Sequence, residues 1–170
     1  MEIIRESVTP TGSEREMLVS YLAYERATLA LKLGGLTFEQ AARQSVPPST
    51  MSLLGLIRHM TDVEKNWMVG RFQGRSVDGL YRTPEDSDAA FNDLKATDVE
   101  EALDRWRLAC EESCQIVDET VSLDQLSVGT RRGGEHVSMR WTILHLIEEY
   151  ARHAGHADLL RESIDGEVGM

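Results

Sequence analysis

SMRWTILHLIEEYARHAGHADLLRE, residues 138–162, reads as one unbroken helix carrying four potential metal ligands. His145, Glu149, His153 and His156 follow one another at steps of four, four and three residues. At about 3.6 residues per turn these steps keep all four within roughly 80° of one another, on one stripe. Imidazole nitrogen and carboxylate oxygen suit zinc, nickel or iron, and an i, i+4 pair can set two of them on one ion. Spacing alone leaves a second reading open, a solvated face whose acids pair with Arg152 and Arg161.

A bundle builds a metal site from facing helices, so the stripe needs a partner elsewhere in the chain. Ser49 or Thr50 opens a helix over residues 50–72, TMSLLGLIRHMTDVEKNWMVGRF, with Leu53, Leu56, Ile57, Met60, Val63 and Trp67 as its apolar stripe. His59 sits at the edge of that stripe and is the only histidine on any other long helix. The fifth histidine, His136, falls in a glycine-bearing loop. The economical constellation is His59 with two ligands of the 138–162 stripe.

Two further helices complete the count. Thr11 or Ser13 caps the first, Glu14 and Glu16 favour its positive end, apolar residues from Met17 to Leu33 follow helical spacing, and Gly34-Gly35 stops it. One helical turn is expected from Thr37, before Pro47-Pro48 impose extended backbone. Thr97 or Asp98 caps the third long helix, whose buried side runs through Ala102, Leu103, Trp106, Ala109, Cys110, Ser113 and Val117. Residues 73–94 form a long polar connection with at most a turn near Ala89. A second connection, residues 122–138, offers a short extended stretch from Val128. Gly166 ends the final helix. Four long amphipathic helices without a convincing strand predict an all-α four-helix bundle, a single domain over residues 1–170.

The chain has 170 residues, 41% of them hydrophobic, with a formal net charge of −11 and no cluster of basic residues. A field of that sign repels nucleic acid and anionic membrane surfaces. No apolar run reaches the roughly 18 residues of a spanning segment, and the first residues lack a basic start before an apolar core, so a cytoplasmic location is expected. Cys110 and Cys114, four apart on one helix, are poorly placed for a disulfide and are expected as reduced core thiols. Trp67, Trp106 and Trp141 are expected as packing anchors, and Arg131 and Arg132 as ordinary loop cations.

LLGLIRHMTDVEKNW at 53–67, followed by WTILHLIEEYARHAGHADLLRE at 141–162, resembles the DinB-like family of four-helix metalloproteins. That family includes thiol-dependent S-transferases and mycothiol-dependent maleylpyruvate isomerases. The resemblance extends to the proline-containing approach to the second long helix and the long crossing after it. It implies an up-down-down-up bundle with long crossover connections, a homodimer, and a divalent metal, zinc first, nickel or iron otherwise.

In the family, one histidine from the second helix and an i, i+4 pair from the fourth hold the metal, which fall here on His59, Glu149 and His153. Many relatives have histidine where Glu149 stands; the carboxylate resembles the isomerase branch. Many also have glutamine where this chain has His156. His156 is therefore either the third ligand in place of Glu149, or a catalytic residue beside the ligands that orients the incoming group or shuttles a proton. His145 is expected to pack nearby. The implied activity is attack by a low-molecular-weight thiol, mycothiol or bacillithiol, on an electrophilic substrate. The family's larger isomerases carry a further domain without counterpart in these residues, which favours general thiol transfer. Two alternatives are a non-catalytic metal-binding or stress-associated dimeric bundle, and an interaction module with a decayed site.

Overall fold

The computed structural model describes residues 3–92, 94 and 99–169. Helix α1 spans Glu14–Leu31, the one-turn α2 Phe38–Ala41, α3 Leu53–Glu64, α4 Val99–Glu119 and α5 Met139–Asp165. Between α3 and the first long connection the helix continues as a π-helical segment, Lys65–Phe72. Among the described residues no strand forms; Leu126 and Ser138 make one isolated bridge.

Local chemistry sets most of these boundaries. Ser13 caps α1, accepting from the Glu16 amide while the Glu16 side chain reaches back to the Ser13 amide, and Thr37 and Gln40 repeat the device on α2. Ser138 caps α5, and Gly166 ends it with φ of 81°, a left-handed conformation that costs glycine little. Two starts and stops differ from the sequence reading. Ser52 caps α3 in place of Ser49 or Thr50, by accepting from the Gly55 amide, and α1 ends three residues before Gly34. The expected caps of α4, Thr97 and Asp98, lie outside the described residues.

Side-chain pairings fix the directions of the helices. Arg140 near the start of α5 pairs with Glu14 at the start of α1, and Arg161 near the end of α5 donates to the carbonyls of Lys32 and Gly34, so α1 and α5 are parallel. Glu64 meets Ser113, and Phe72 lies with Ile116 and Thr120, so α3 and α4 are parallel too. Arg15 at the start of α1 donates to the carbonyls of Val117 and Thr120, making α4 antiparallel to α1. The order is up-down-down-up. A long crossing over residues 73–92 carries the chain back so that α4 can run beside α3 in the same sense.

Among the described residues an apolar cluster runs through the four long helices and includes Leu22, Leu29, Leu56, Met60, Trp106, Ile143 and Leu146. Buried within it is a polar knot. Glu64, with no exposed surface, accepts from Arg26 Nε at 2.7 Å and Nη2 at 2.8 Å, from Ser113 Oγ at 2.7 Å and from Tyr150 OH at 2.9 Å. Trp106 Nε1 donates to Tyr150 OH at 2.8 Å. One carboxylate thereby ties α1, α3, α4 and α5 together, with its lone pairs occupied.

The long crossing is fastened to α3. Asp62 accepts from the amides of Tyr81 and Arg82, each at 2.8 Å, and Arg58 lies over the Tyr81 ring at 4.4 Å. Gly55 permits the closest approach: a Cβ there would stand 2.5 Å from Phe91 Cδ1. Phe91 is thus laid against α3 one turn from His59.

Candidate metal centre

His59 lies at the edge of the buried face of α3, half-buried, with Phe91 stacked over it at 5.6 Å between ring centroids. Antiparallel packing of α3 on α5 brings it edge-on to His153, at 4.8 Å between centroids. His153 is 9% exposed. Its Nε2 stands 3.6 Å from Glu149 Oε2, one turn earlier on α5. One donor atom each from His59, Glu149 and His153 lies within 4.8 Å of the others, the one such group of three or more among the described residues.

His156 stands beside this group. Its Nδ1 is 3.3 Å from Nδ1 of His153, so His153 turns one ring nitrogen to Glu149 and the other to His156. His145 lies on the opposite side, with Nε2 at 3.6 Å from Glu149 Oε1, stacked on Trp141 at 5.0 Å and edge-on to Trp67 at 4.4 Å. Trp67 and Trp141 thus serve as packing anchors around His145, while Trp106 anchors the polar knot. His136 is remote from the group, bonded to the Ser127 carbonyl.

The solvated-face reading does not describe this stripe. Arg152 pairs with Glu148, not Glu149, and Arg161 is buried, pairing with Asp165 and capping the end of α1. Glu149 is left to histidines. Its carboxyl is held below the ordinary carboxylate range, first by the His153 ring, with burial opposing next in size and the charges of His145, His153 and His59 adding to the lowering. Burial, followed by the neighbouring His153, pushes His59 down to about 4. At neutral pH its imidazole is uncharged, the form that binds a metal. His156 is lowered as well, by burial and then by His153.

The donor set fits a divalent ion. With bonds of about 2.0–2.2 Å at tetrahedral angles, ligand atoms sit roughly 3.4 Å apart. The Glu149–His153 pair meets that spacing as it stands, and closing the rest of the group takes a movement on the order of 1 Å, within reach of side-chain rotation.

Sequence reasoning missed the polar knot directly beneath. Tyr150 follows Glu149 and points the other way, into the core. The signal was present, since Glu64 continues the buried Ile57–Met60 line and Arg26 stands between Leu22 and Leu29 on one face. Cys110 and Cys114 are both free, and Cys114 is exposed, against the expectation of two core thiols.

No helix among the described residues is long and apolar enough to cross a membrane. No curated protein gives a significant match to the chain. A family model described as mycothiol-S-transferase matches residues 17–166, from the first turn of α1 to the glycine that ends α5. With the bundle and its histidine-carboxylate group, that match establishes that the chain belongs to the mycothiol-S-transferase family, a DinB-like family.

Proposed function

We propose that this protein is a metal-dependent transferase that joins a low-molecular-weight thiol, mycothiol or bacillithiol, to an electrophilic substrate. His59, Glu149 and His153 would hold a divalent ion, zinc first, nickel or iron(II) otherwise. The observation that carries the proposal is the convergence of these three donors from two helices. Three protein ligands leave a position open to substrate, the pattern of catalytic sites. A divalent ion there supplies Lewis acidity, which lowers the pKa of a thiol enough for thiolate to exist near neutral pH.

The side chains have separate tasks in this reading. Burial keeps His59 uncharged and ready to ligate. Glu149 completes the ligand set, and its second oxygen is steadied by His145, which Trp67 and Trp141 pack in place. His156 is assigned beside the ligands: its contact with His153 Nδ1 leaves His153 Nε2 for the ion, and its half-exposed ring can orient the incoming group or take the proton released by the thiol. The thiolate sulfur then bonds to the electrophilic carbon, and the leaving group departs with its electron pair. In the same reading residues 1–170 act as one cytoplasmic domain that pairs as a homodimer, and the charge of −11 disfavours nucleic acid as a partner.

Metal content of the purified protein by elemental mass spectrometry, beside His59→Ala, tests the site. The expected result is about one divalent ion per chain, lost in the variant, with metal-dependent consumption of thiol and electrophile. Metal without any effect of thiol supports a storage or stress-associated role instead. No metal after reconstitution with zinc, nickel and iron(II) rejects the site.

A further inference from the structure

His153, His156 and Leu160 follow at steps of three and four along α5, so the stripe that carries the ligand group continues past it toward the C-terminal end of the helix. Beside that continuation lies a cleft of about 220 Å³ lined by Val46, Ser49, Met51, His156, Leu159 and Leu160. Leu160 is about 10 Å along the axis from His153 at 1.5 Å rise per residue. Because α3 runs antiparallel to α5, Met51, two residues before α3 begins, closes the far end of the same seam whose near end is His59. The cleft and the ligand group share His156 as their common wall.

The cleft is built, not incidental. Ser45 Oγ donates to the Leu160 carbonyl at 3.1 Å, and Ser163 Oγ donates to the Ser45 carbonyl at 2.8 Å, so the strap that forms the outer wall is bonded twice to α5 through Ser45, next to Val46. Four of the six lining side chains are apolar, and Leu159 keeps 59% of its surface exposed at the rim. The volume is below the roughly 300 Å³ at which a pocket takes a whole drug-sized ligand, so it suits one substituent of a larger molecule. A polar, sugar-bearing thiol such as mycothiol gains less by leaving water for such walls than an apolar substituent does.

We infer that this cleft receives the apolar substituent of the electrophile, an aryl or branched alkyl group, with the reacting carbon lying toward His156 and the ligand group. The inference rests on the transferase reading and names its substrate class: electrophiles with one apolar arm. Met51 and Leu159 are the residues that select it.

Protein labelled with ¹³C at the methionine methyl groups and loaded with zinc provides a readout independent of turnover. Titration with 1-phenylethanol should move the Met51 methyl resonance saturably, 2-propanol should not, and Leu159→Trp, which fills the rim, should abolish the response. In parallel, kcat/KM for styrene oxide over propylene oxide with mycothiol as thiol should favour the aryl epoxide, and Leu159→Trp and Leu159→Asp should each lower that ratio at least about tenfold while metal content stays the same. Leu159 is exposed on a long helix, so both variants keep the fold. A stationary Met51 signal with an unchanged ratio in both variants overturns the cleft and leaves thiol transfer standing. A mobile Met51 signal without transfer to either epoxide, from mycothiol or from bacillithiol, supports the cleft as an apolar site and counts against the transferase reading. Neither response rejects both.

Discussion

Glu64→Gln is the sharpest test of how the bundle is held. The substitution keeps the volume of the side chain, so it opens no cavity, and removes only the charge. In the native protein both carboxylate oxygens face Arg26, which is 7% exposed. A glutamine at 64 can still accept from Tyr150 through its oxygen and donate to the Ser113 hydroxyl through its nitrogen. Its amide hydrogens then confront the guanidinium, which is left buried without an anion. Breaking one side of a buried pair costs about 3–5 kcal/mol. Against a typical total of roughly 5–15 kcal/mol that is a large fraction, and for a chain of this size it lowers Tm by roughly 6–20 °C.

The matching control is Arg26→Met with Glu64→Gln. It removes the stranded charge while the amide continues to serve Tyr150 and Ser113, so most of the lost stability should return. Urea unfolding followed by far-ultraviolet circular dichroism reads both variants as a shift in midpoint at constant slope. Loss of less than about 1 kcal/mol in Glu64→Gln, the range of an exposed pair, would falsify the buried knot. A double variant weaker than the single one would show that the cost came from packing and not from charge.

Three further outcomes are expected. Glu149→Ala should lose bound metal as His59→Ala does, whereas His156→Ala should retain it with affinity weakened about 10- to 100-fold, the usual effect of removing a residue that orients a ligand; metal titration that ranks them the other way makes His156 the third ligand. Burial raises the Asp62 carboxyl above its ordinary value despite two backbone amides. Its folded value therefore exceeds its unfolded one, so its contribution to stability is complete at low pH and is lost as pH rises through the folded value; a ¹³C carboxyl titration midpoint at or below 3.8 would contradict this. Brief alkylation of the native protein with iodoacetamide, read by peptide mass, should label exposed Cys114 and spare Cys110, whose thiol burial pushes upward.

The α5 helix was legible because every signal agreed: the Ser138 cap, the histidine and glutamate stripe at three- and four-residue steps, and the Gly166 stop. The pairing of His59 with Glu149 and His153 was legible through elimination and resemblance, since one histidine on another long helix leaves little choice. The π segment was not legible. Its Trp67 and Phe72 fit an apolar stripe under either helix type, and an added residue per turn leaves no mark on composition. Arg26 and Glu64 fall on the buried lines of their helices, but each is expensive to bury alone and neither names its partner. Only the order in which helices pack shows that they neutralise each other. Phe91 escaped for a similar reason: a connection read as long and polar is bonded to α3 through Asp62. Cys114 departs from the core because it sits one residue beyond Ser113, the buried position.

The crossover topology has a consequence for the timing of assembly. The ligands assigned to the ion lie on α3 and α5, with all of α4 between them in the chain. During synthesis His59 emerges long before its partners, and one donor of three has little hold on any ion. Capture of an ion by this group would wait until α5 has been made and seated against α3. From then on, the free energy of binding would add to that of folding, because an ion held only by the native state shifts the equilibrium toward it. The ion would act as a latch on the completed chain, and cutting the loop between α4 and α5 would let it go at a metal concentration the intact protein tolerates.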